Sequence, residues 1–170
     1  DTLSRERIGA EMRKLLAAPD PAPAVAAMGA SGVLARVLPG ADARALGSLV
    51  HLEGALAPDW RRRLAVLGGI DLVDRLRLSR DEAKHVALLS QLVSAPPDPA
   101  AQAYRHGADT ARDAALLRAA LGIGDLRADL DQQLVSGAAA RFPVTAADLM
   151  PGLQGAALGA RLAELESHWI

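Results

Sequence analysis

Residues 4–16 read Ser-Arg-Glu-Arg-Ile-Gly-Ala-Glu-Met-Arg-Lys-Leu-Leu, and they carry a complete helix pattern. Ser4 has a hydroxyl that can accept a hydrogen bond from the first turn of a helix. The apolar side chains after it recur at the i, i+4, i+7 and i+8 spacing of one helix face: Ile8, Met12, Leu15 and Leu16. Pro19 and Pro21 then end the helix, because proline cannot continue it. The stretch predicts an amphipathic helix that begins after Ser4.

The rest of the chain repeats this helical pattern. Alternation of apolar and polar residues is absent, and the short periodic segments are separated by Gly and Pro turns. Asp59 and Asp98 are placed to cap helices, and Ser79 with Glu82 forms a capping box. We therefore predict an all-α fold, an irregular bundle of about ten short helices.

Several elements have expected bounds. A longer helix is expected over 41–57, a segment with one apolar side over 70–78, and another helix over 125–139. The break at 96–99, Pro-Pro-Asp-Pro, divides the chain into a helical body over 1–95 and a smaller tail over 96–170 packed on it. In the last helix one apolar face is expected to dock on the body: Leu158, Leu162, Leu165 and Trp169.

Composition limits the class of protein. The 170 residues suit one compact domain or two small ones. No apolar run is long enough for a transmembrane helix, and no secretory signal is visible. The absence of cysteine excludes disulfides and thiolate zinc sites and fits the reducing cytoplasm. The chain starts at Asp1, so we expect it to be a fragment of a longer protein.

Charge is unevenly distributed. The net charge is −1, which is low for a protein that neutralises RNA phosphates, but residues 60–84 carry seven cations and four anions. The candidates for phosphate contacts form three clusters: Arg61 and Arg62; Arg75, Arg77, Arg80 and Lys84; and Arg105 and Arg112. A GC-rich genome would produce the same excess of arginine without any function. In the third cluster, ion pairs with the neighbouring Asp109 and Asp113 compete with RNA for the arginine side chains.

Other chemistry is weakly indicated. None of the four histidines is followed by Asp, and none has another histidine four residues away, so the sequence predicts no metal site. Tyr104 is able to stack on a base, but a core position is the better prediction. The sequence offers no nucleophile motif and no glycine-rich phosphate loop that opens a helix after a strand. No residue is therefore assigned to catalysis.

The two ends of the chain resemble a known family. The opening segment contributes Ser4, Glu6, Arg7, Ile8 and Glu11, and the closing segment contributes Asp148-Leu149-Met150 followed by Gly152, Gly155 and Gly159. With Arg63-Leu64-Ala65-Val66-Leu67 between them, these phrases resemble in order the C-terminal neck-end, body and tail region of the bacterial tRNA nucleotidyltransferase (CCA-adding)/poly(A) polymerase family.

The resemblance implies a helical region that holds tRNA or another RNA beside an upstream catalytic head. In that family the head uses Mg²⁺ and CTP or ATP to add nucleotides to RNA 3′ ends, so this segment alone is expected to be inactive. The motif residues are expected to be structural: Ser4 caps, Ile8 packs, and the three closing glycines permit a tight turn and close approach. The alternative is a helical protein-interaction module without RNA binding.

Overall fold

A computed structural model of the protein describes residues 4–150 and 152–170, and every regular element in those ranges is an α-helix. There are twelve helices in this part of the chain, of which nine have seven or more residues. In chain order they are α1 (Arg5–Leu16), α2 (Ala22–Ala30), α3 (Val33–Val37), α4 (Leu46–Glu53), α5 (Trp60–Leu67), α6 (Leu72–Leu76), α7 (Arg80–Ser94), α8 (Pro99–His106), α9 (Ala108–Ala120), α10 (Leu130–Ala139), α11 (Ala146–Leu149) and α12 (Gly155–Trp169). The all-α prediction is confirmed. None of these described helices combines the length and the apolarity that crossing a membrane requires.

The predicted helix caps are confirmed. Ser4, Asp59 and Asp98 each accept a hydrogen bond from a backbone N–H two or three residues further on. Ser79 and Glu82 form the reciprocal pair of a capping box, with the Ser79 N–H donating to the Glu82 carboxylate over 2.7 Å. These caps satisfy donors that helix geometry leaves without partners.

Two predicted helices begin later than expected. The helix expected over 41–57 is α4, because the Asp42 carboxylate accepts from the Arg44 N–H (2.9 Å) and turns the chain before Leu46. The helix expected over 125–139 is α10, because the Asp129 carboxylate is held by Arg127 in the preceding turn. In both places a local side-chain bond competes with the helix.

The predicted apolar side over 70–78 was wrong in extent. Helix α6 has only five residues, and left-handed backbone at Asp71 (φ 57°) and Arg77 (φ 48°) stops it at both ends. Leu76 is buried, but Ile70 and Val73 are 60% and 53% exposed. The chain therefore makes a tight corner here in place of two helical turns.

Two groups of buried apolar side chains hold the helices together. The larger group has members from α1 to α7 and includes Leu116 and Leu117 of α9. The smaller group lies between α8, α9 and α10 and consists of Ala103, Ala111, Leu130 and Leu134. Helix α9 thus contributes to both groups, and the proposed division at residue 96 stays a prediction.

The last helix is held by aromatic contacts at its C-terminal end. Trp169 meets Tyr104 and Phe142 edge to face, with ring centroids 5.5 Å and 5.7 Å apart, and the Tyr104 hydroxyl donates to Glu166. The leucines predicted to dock are only half-buried: Leu158, Leu162 and Leu165. The predicted docking of this face on the body was therefore wrong, because Trp169 turns towards α8 of the tail.

The closing glycines differ in what they require. Gly155 has a φ of 57°, a conformation that favours glycine, so the predicted turn is confirmed there. A Cβ on Gly152 would make an ordinary contact with the Leu149 carbonyl oxygen at 3.5 Å, and a Cβ on Gly159 would meet no atom within 4 Å. The close approach expected at these two glycines is not seen.

Candidate RNA-binding surface

Helix α1 crosses directly over α6. A Cβ added at Gly9 would lie 2.1 Å from the carbonyl oxygen of Leu76, so only glycine allows the two backbones to approach this closely. No role was predicted for Gly9, because a single glycine in a helix does not reveal which distant backbone it faces. The crossing places α1 against the turn that leads into α7.

Ion pairs reinforce this crossing. Three of them join α1 to the segment from α6 to α7: Arg5–Asp74 (2.9 Å), Glu6–Arg77 (3.3 Å) and Arg13–Glu82 (3.0 Å). The hydrogen bonds from Arg13 hold the pKa of the Glu82 carboxyl below its usual value. Arg13 also donates to the Arg77 carbonyl oxygen and lies 5.2 Å above the Trp60 ring, a cation–π distance.

The second predicted cluster lies in the segment that α1 holds in place. We call it the α6–α7 basic surface: Arg75, Arg77, Arg80 and Lys84. Arg77, Arg80 and Lys84 are exposed, and Arg75 is half-buried with its guanidinium near the Arg36 carbonyl oxygen. Within the described ranges neither Arg80 nor Lys84 has a carboxylate partner, so both are available to a phosphate.

The first predicted cluster is divided by burial. Arg61 keeps 40% of its side chain exposed, although Asp59 holds its guanidinium at 2.7 Å. Arg62 is only 4% exposed and is bound by Glu53 at 2.8 Å and by Asp113 at 2.6 Å. The sequence-based assignment of Arg62 to RNA therefore has to be corrected, because the side chain belongs to the protein interior.

A buried charge network surrounds Arg62. Glu53, which is 3% exposed, accepts hydrogen bonds from Arg62 and from its neighbour Arg63. Arg63 is 2% exposed and also donates to the carbonyl oxygens of Leu16 (2.8 Å) and Pro19 (3.2 Å), where α1 ends. The network thus fixes the end of α1 to α4 and α5.

The third predicted cluster does not form a continuous basic patch. Arg105 is exposed, whereas Arg112 pairs with Asp131 of α10. The competition expected from Asp113 is absent, because that carboxylate holds Arg62. Tyr104 is half-buried, belongs to neither group of core residues, and donates its hydroxyl to Glu166, so the predicted core position is only partly reached.

An apolar groove lies on the other side of α1. It has a volume of about 580 Å³ and lies between α1, Met28 of α2 and Val37 of α3. Ile8, Met12 and Leu15 line it from α1, and Arg7 and Glu11 stand at its edge. The groove was not predicted, because helical periodicity places Ile8 on an apolar helix face but does not show that part of this face stays open.

The comparison with known families gives a match over the stretch that contains α1, α2 and α3. Residues 1–44 match the family model described as the probable RNA- and SrmB-binding site of polymerase A. The chain therefore contains the probable RNA-binding region of the poly(A) polymerase family. No curated protein and no solved structure matches the chain.

Proposed function

We propose that this chain holds RNA for a nucleotidyltransferase of the CCA-adding or poly(A) polymerase type. One observation carries the proposal: the stretch that matches the RNA-binding family model includes α1, and α1 is locked by Gly9 and three ion pairs onto the α6–α7 basic surface. The matched region and the exposed cations are therefore parts of one rigid surface.

The chemistry of that surface favours backbone contact. Cations on a rigid scaffold position RNA through its phosphates without reading sequence. The exposed Arg80 and Lys84 are one helical turn apart on α7 and can bind phosphates without breaking an ion pair seen in the described residues. Arg77 adds a third exposed cation at the preceding corner.

The family resemblance also implies what the catalytic part of the enzyme would do. An upstream head would supply Mg²⁺, CTP or ATP and the transfer to the RNA 3′ hydroxyl in the cytoplasm, and this chain would keep the RNA in reach. The purified 170 residues should accordingly incorporate no labelled ATP into tRNA.

Reversing charge on the α6–α7 basic surface tests the proposal. The double variant Arg80→Glu/Lys84→Glu should bind tRNA at least about tenfold more weakly at low salt, because two phosphate contacts are lost. The slope of log affinity against log salt should fall by about 1.4–1.8. Glutamate at position 80 stands in the first turn of α7, where the helix dipole favours an anion, so the fold should persist. Fluorescence anisotropy over a salt series measures both quantities.

A matched control changes the net charge equally elsewhere. Arg127→Glu/Arg161→Glu replaces two exposed tail cations that lie outside the three candidate clusters. The tRNA affinity of this control should stay within about threefold of that of the unchanged chain, because salt screens charges that do not contact the RNA directly. Equal losses in the two double variants, or no tRNA binding by the unchanged chain, would contradict an RNA surface at α6–α7.

The groove supports a second candidate function, a protein-binding site. The matched family description includes SrmB, a protein, and the largely apolar groove is lined entirely by residues of the matched helices. Met28→Glu should abolish capture of purified SrmB, since a charge would enter an apolar contact. Affinity for tRNA should stay unchanged, because Met28 is not on the α6–α7 basic surface. SrmB binding that tolerates Met28→Glu would exclude the groove.

A further inference from the structure

Three potential metal ligands from three different helices meet in one cleft. Asp59 stands at the start of α5, His85 lies in α7, and Asp113 lies in α9. One ligand atom from each lies within 4.8 Å of the others. The cleft has a volume of about 350 Å³ and is also lined by Asp109 and Thr110. The sequence predicted no metal site here because its test required ligands at helical spacing.

The His85 side chain gives a second, independent indication that a ligand binds in this cleft. Its Nε2 atom is buried and makes no hydrogen bond within the described residues. A buried polar atom without a partner is costly, and such an atom in a native protein usually has a functional explanation. Neutral imidazole nitrogen is also the commonest side-chain ligand for transition metals.

The two carboxylates have oxygens to offer. Asp113 uses Oδ1 to accept from Arg62 at 2.6 Å, which leaves Oδ2 for another ligand. Asp59 uses Oδ1 for the α5 cap, while among the described residues its Oδ2 accepts only from the Arg61 side chain, at 2.7 Å. The two carboxylates lie close together in the cleft, so their negative charges repel each other. A cation between the two carboxylates would relieve that repulsion.

We propose that Asp59, His85 and Asp113 bind a divalent transition-metal ion of the zinc class. Zinc accepts imidazole nitrogen and carboxylate oxygen together, whereas calcium and magnesium prefer oxygen alone. Ligand atoms no more than 4.8 Å apart can all lie within about 2.8 Å of a common centre, so each needs to move inward by at most about 0.7 Å to reach zinc bonding distance. The Arg61 guanidinium leaves Asp59 for solvent, and water completes the coordination from the cleft.

The neighbouring charges suit this arrangement. Arg62 keeps its bond to Asp113 Oδ1 and orients that carboxylate, as outer-shell partners of metal ligands do. The charge of Arg62 is shared with Glu53, and Asp109 adds a carboxylate at the rim of the cleft. The ion would join α5, α7 and α9, so its binding should stabilise the folded chain.

Zinc titration of the EDTA-treated chain tests the site. At a free Zn²⁺ concentration one hundred times the dissociation constant, the unfolding midpoint should rise by about 5–10 °C. Co²⁺ should give the intense visible absorption of a four-coordinate site. His85→Ala should abolish both effects. His51→Ala, which removes an exposed histidine from α4, should leave both unchanged.

A more conservative variant shows whether a lost zinc response comes from the missing ligand or from a misfolded chain. His85→Gln keeps a polar side chain of similar length but offers a poor zinc ligand, so it should also lose both responses while keeping its helical circular dichroism. The proposal is overturned if the unchanged chain shows no zinc response, or if His85→Gln responds as the unchanged chain does. A zinc response lost only with His51→Ala would overturn it as well.

Discussion

Replacing Glu53 by glutamine should lower the free energy of unfolding by about 3–5 kcal/mol, the cost of breaking a buried ion pair from one side. Glu53 is 3% exposed and accepts hydrogen bonds from Arg62 at 2.8 Å and from Arg63 at 2.6 Å. Glutamine keeps the volume but leaves Arg62 with Asp113 as its carboxylate partner and leaves the buried Arg63 guanidinium, among the described residues, with backbone carbonyl oxygens alone. Urea unfolding followed by circular dichroism measures the loss.

The same substitution at an exposed pair provides the control. Glu164 pairs with Arg161 on α12 at 2.7 Å, with about half of each side chain exposed. Glu164→Gln should leave the urea midpoint nearly unchanged, because water screens an exposed pair. Similar losses for the two glutamine variants would show that the Glu53 network contributes nothing beyond surface charge.

The expected loss matters beyond stability, because the network reaches the matched helices. Arg63 binds the Leu16 carbonyl oxygen, one of the last carbonyls of α1 that helix geometry leaves without a partner, and the Pro19 carbonyl oxygen just beyond the helix. Glu53 holds Arg63 in position for those bonds. A weakened network should therefore loosen the end of α1 before it unfolds the distant tail, and hydrogen exchange would detect that order.

Local elements could be predicted from the sequence where a few neighbouring residues contain the information. The Ser79–Glu82 capping box and the Asp59 and Asp98 caps depend on side chains two or three positions from their partners. Their hydrogen bonds form in almost any tertiary setting. The predicted position of each of these helix starts was therefore correct.

Features that depend on distant partners could not be predicted. Arg61 and Arg62 are neighbours of the same type, yet one is exposed and the other is buried against Asp113 of α9. Ile70 and Val73 match a helical apolar pattern, but the left-handed residues around α6 turn them outward. The Asp59, His85 and Asp113 cluster exists only after three helices pack. Sequence spacing contains none of this information.

Replacing Gly9 by alanine should destabilise the protein by about 3 kcal/mol or more, at or above the upper end of the usual cost of overpacking. The new Cβ would lie 2.1 Å from the Leu76 carbonyl oxygen and 2.8 Å from its carbon, and a backbone cannot yield as a flexible side chain does. Alanine is the better helix former by about 1 kcal/mol, so a loss would show that contact outweighs propensity. Urea unfolding measures the change.

Gly159→Ala is the matched control, because it makes the same change within a helix where the Cβ meets no atom within 4 Å. It should stabilise the chain by about 0.5–1 kcal/mol.

Gly9→Ala should also weaken tRNA binding under conditions in which the variant is folded. Moving α1 off α6 lengthens the Arg5–Asp74 and Arg13–Glu82 pairs that hold the α6–α7 basic surface. If Gly9→Ala lost stability but kept full tRNA affinity, the crossing would be structural only, and the RNA surface would have to lie away from α1.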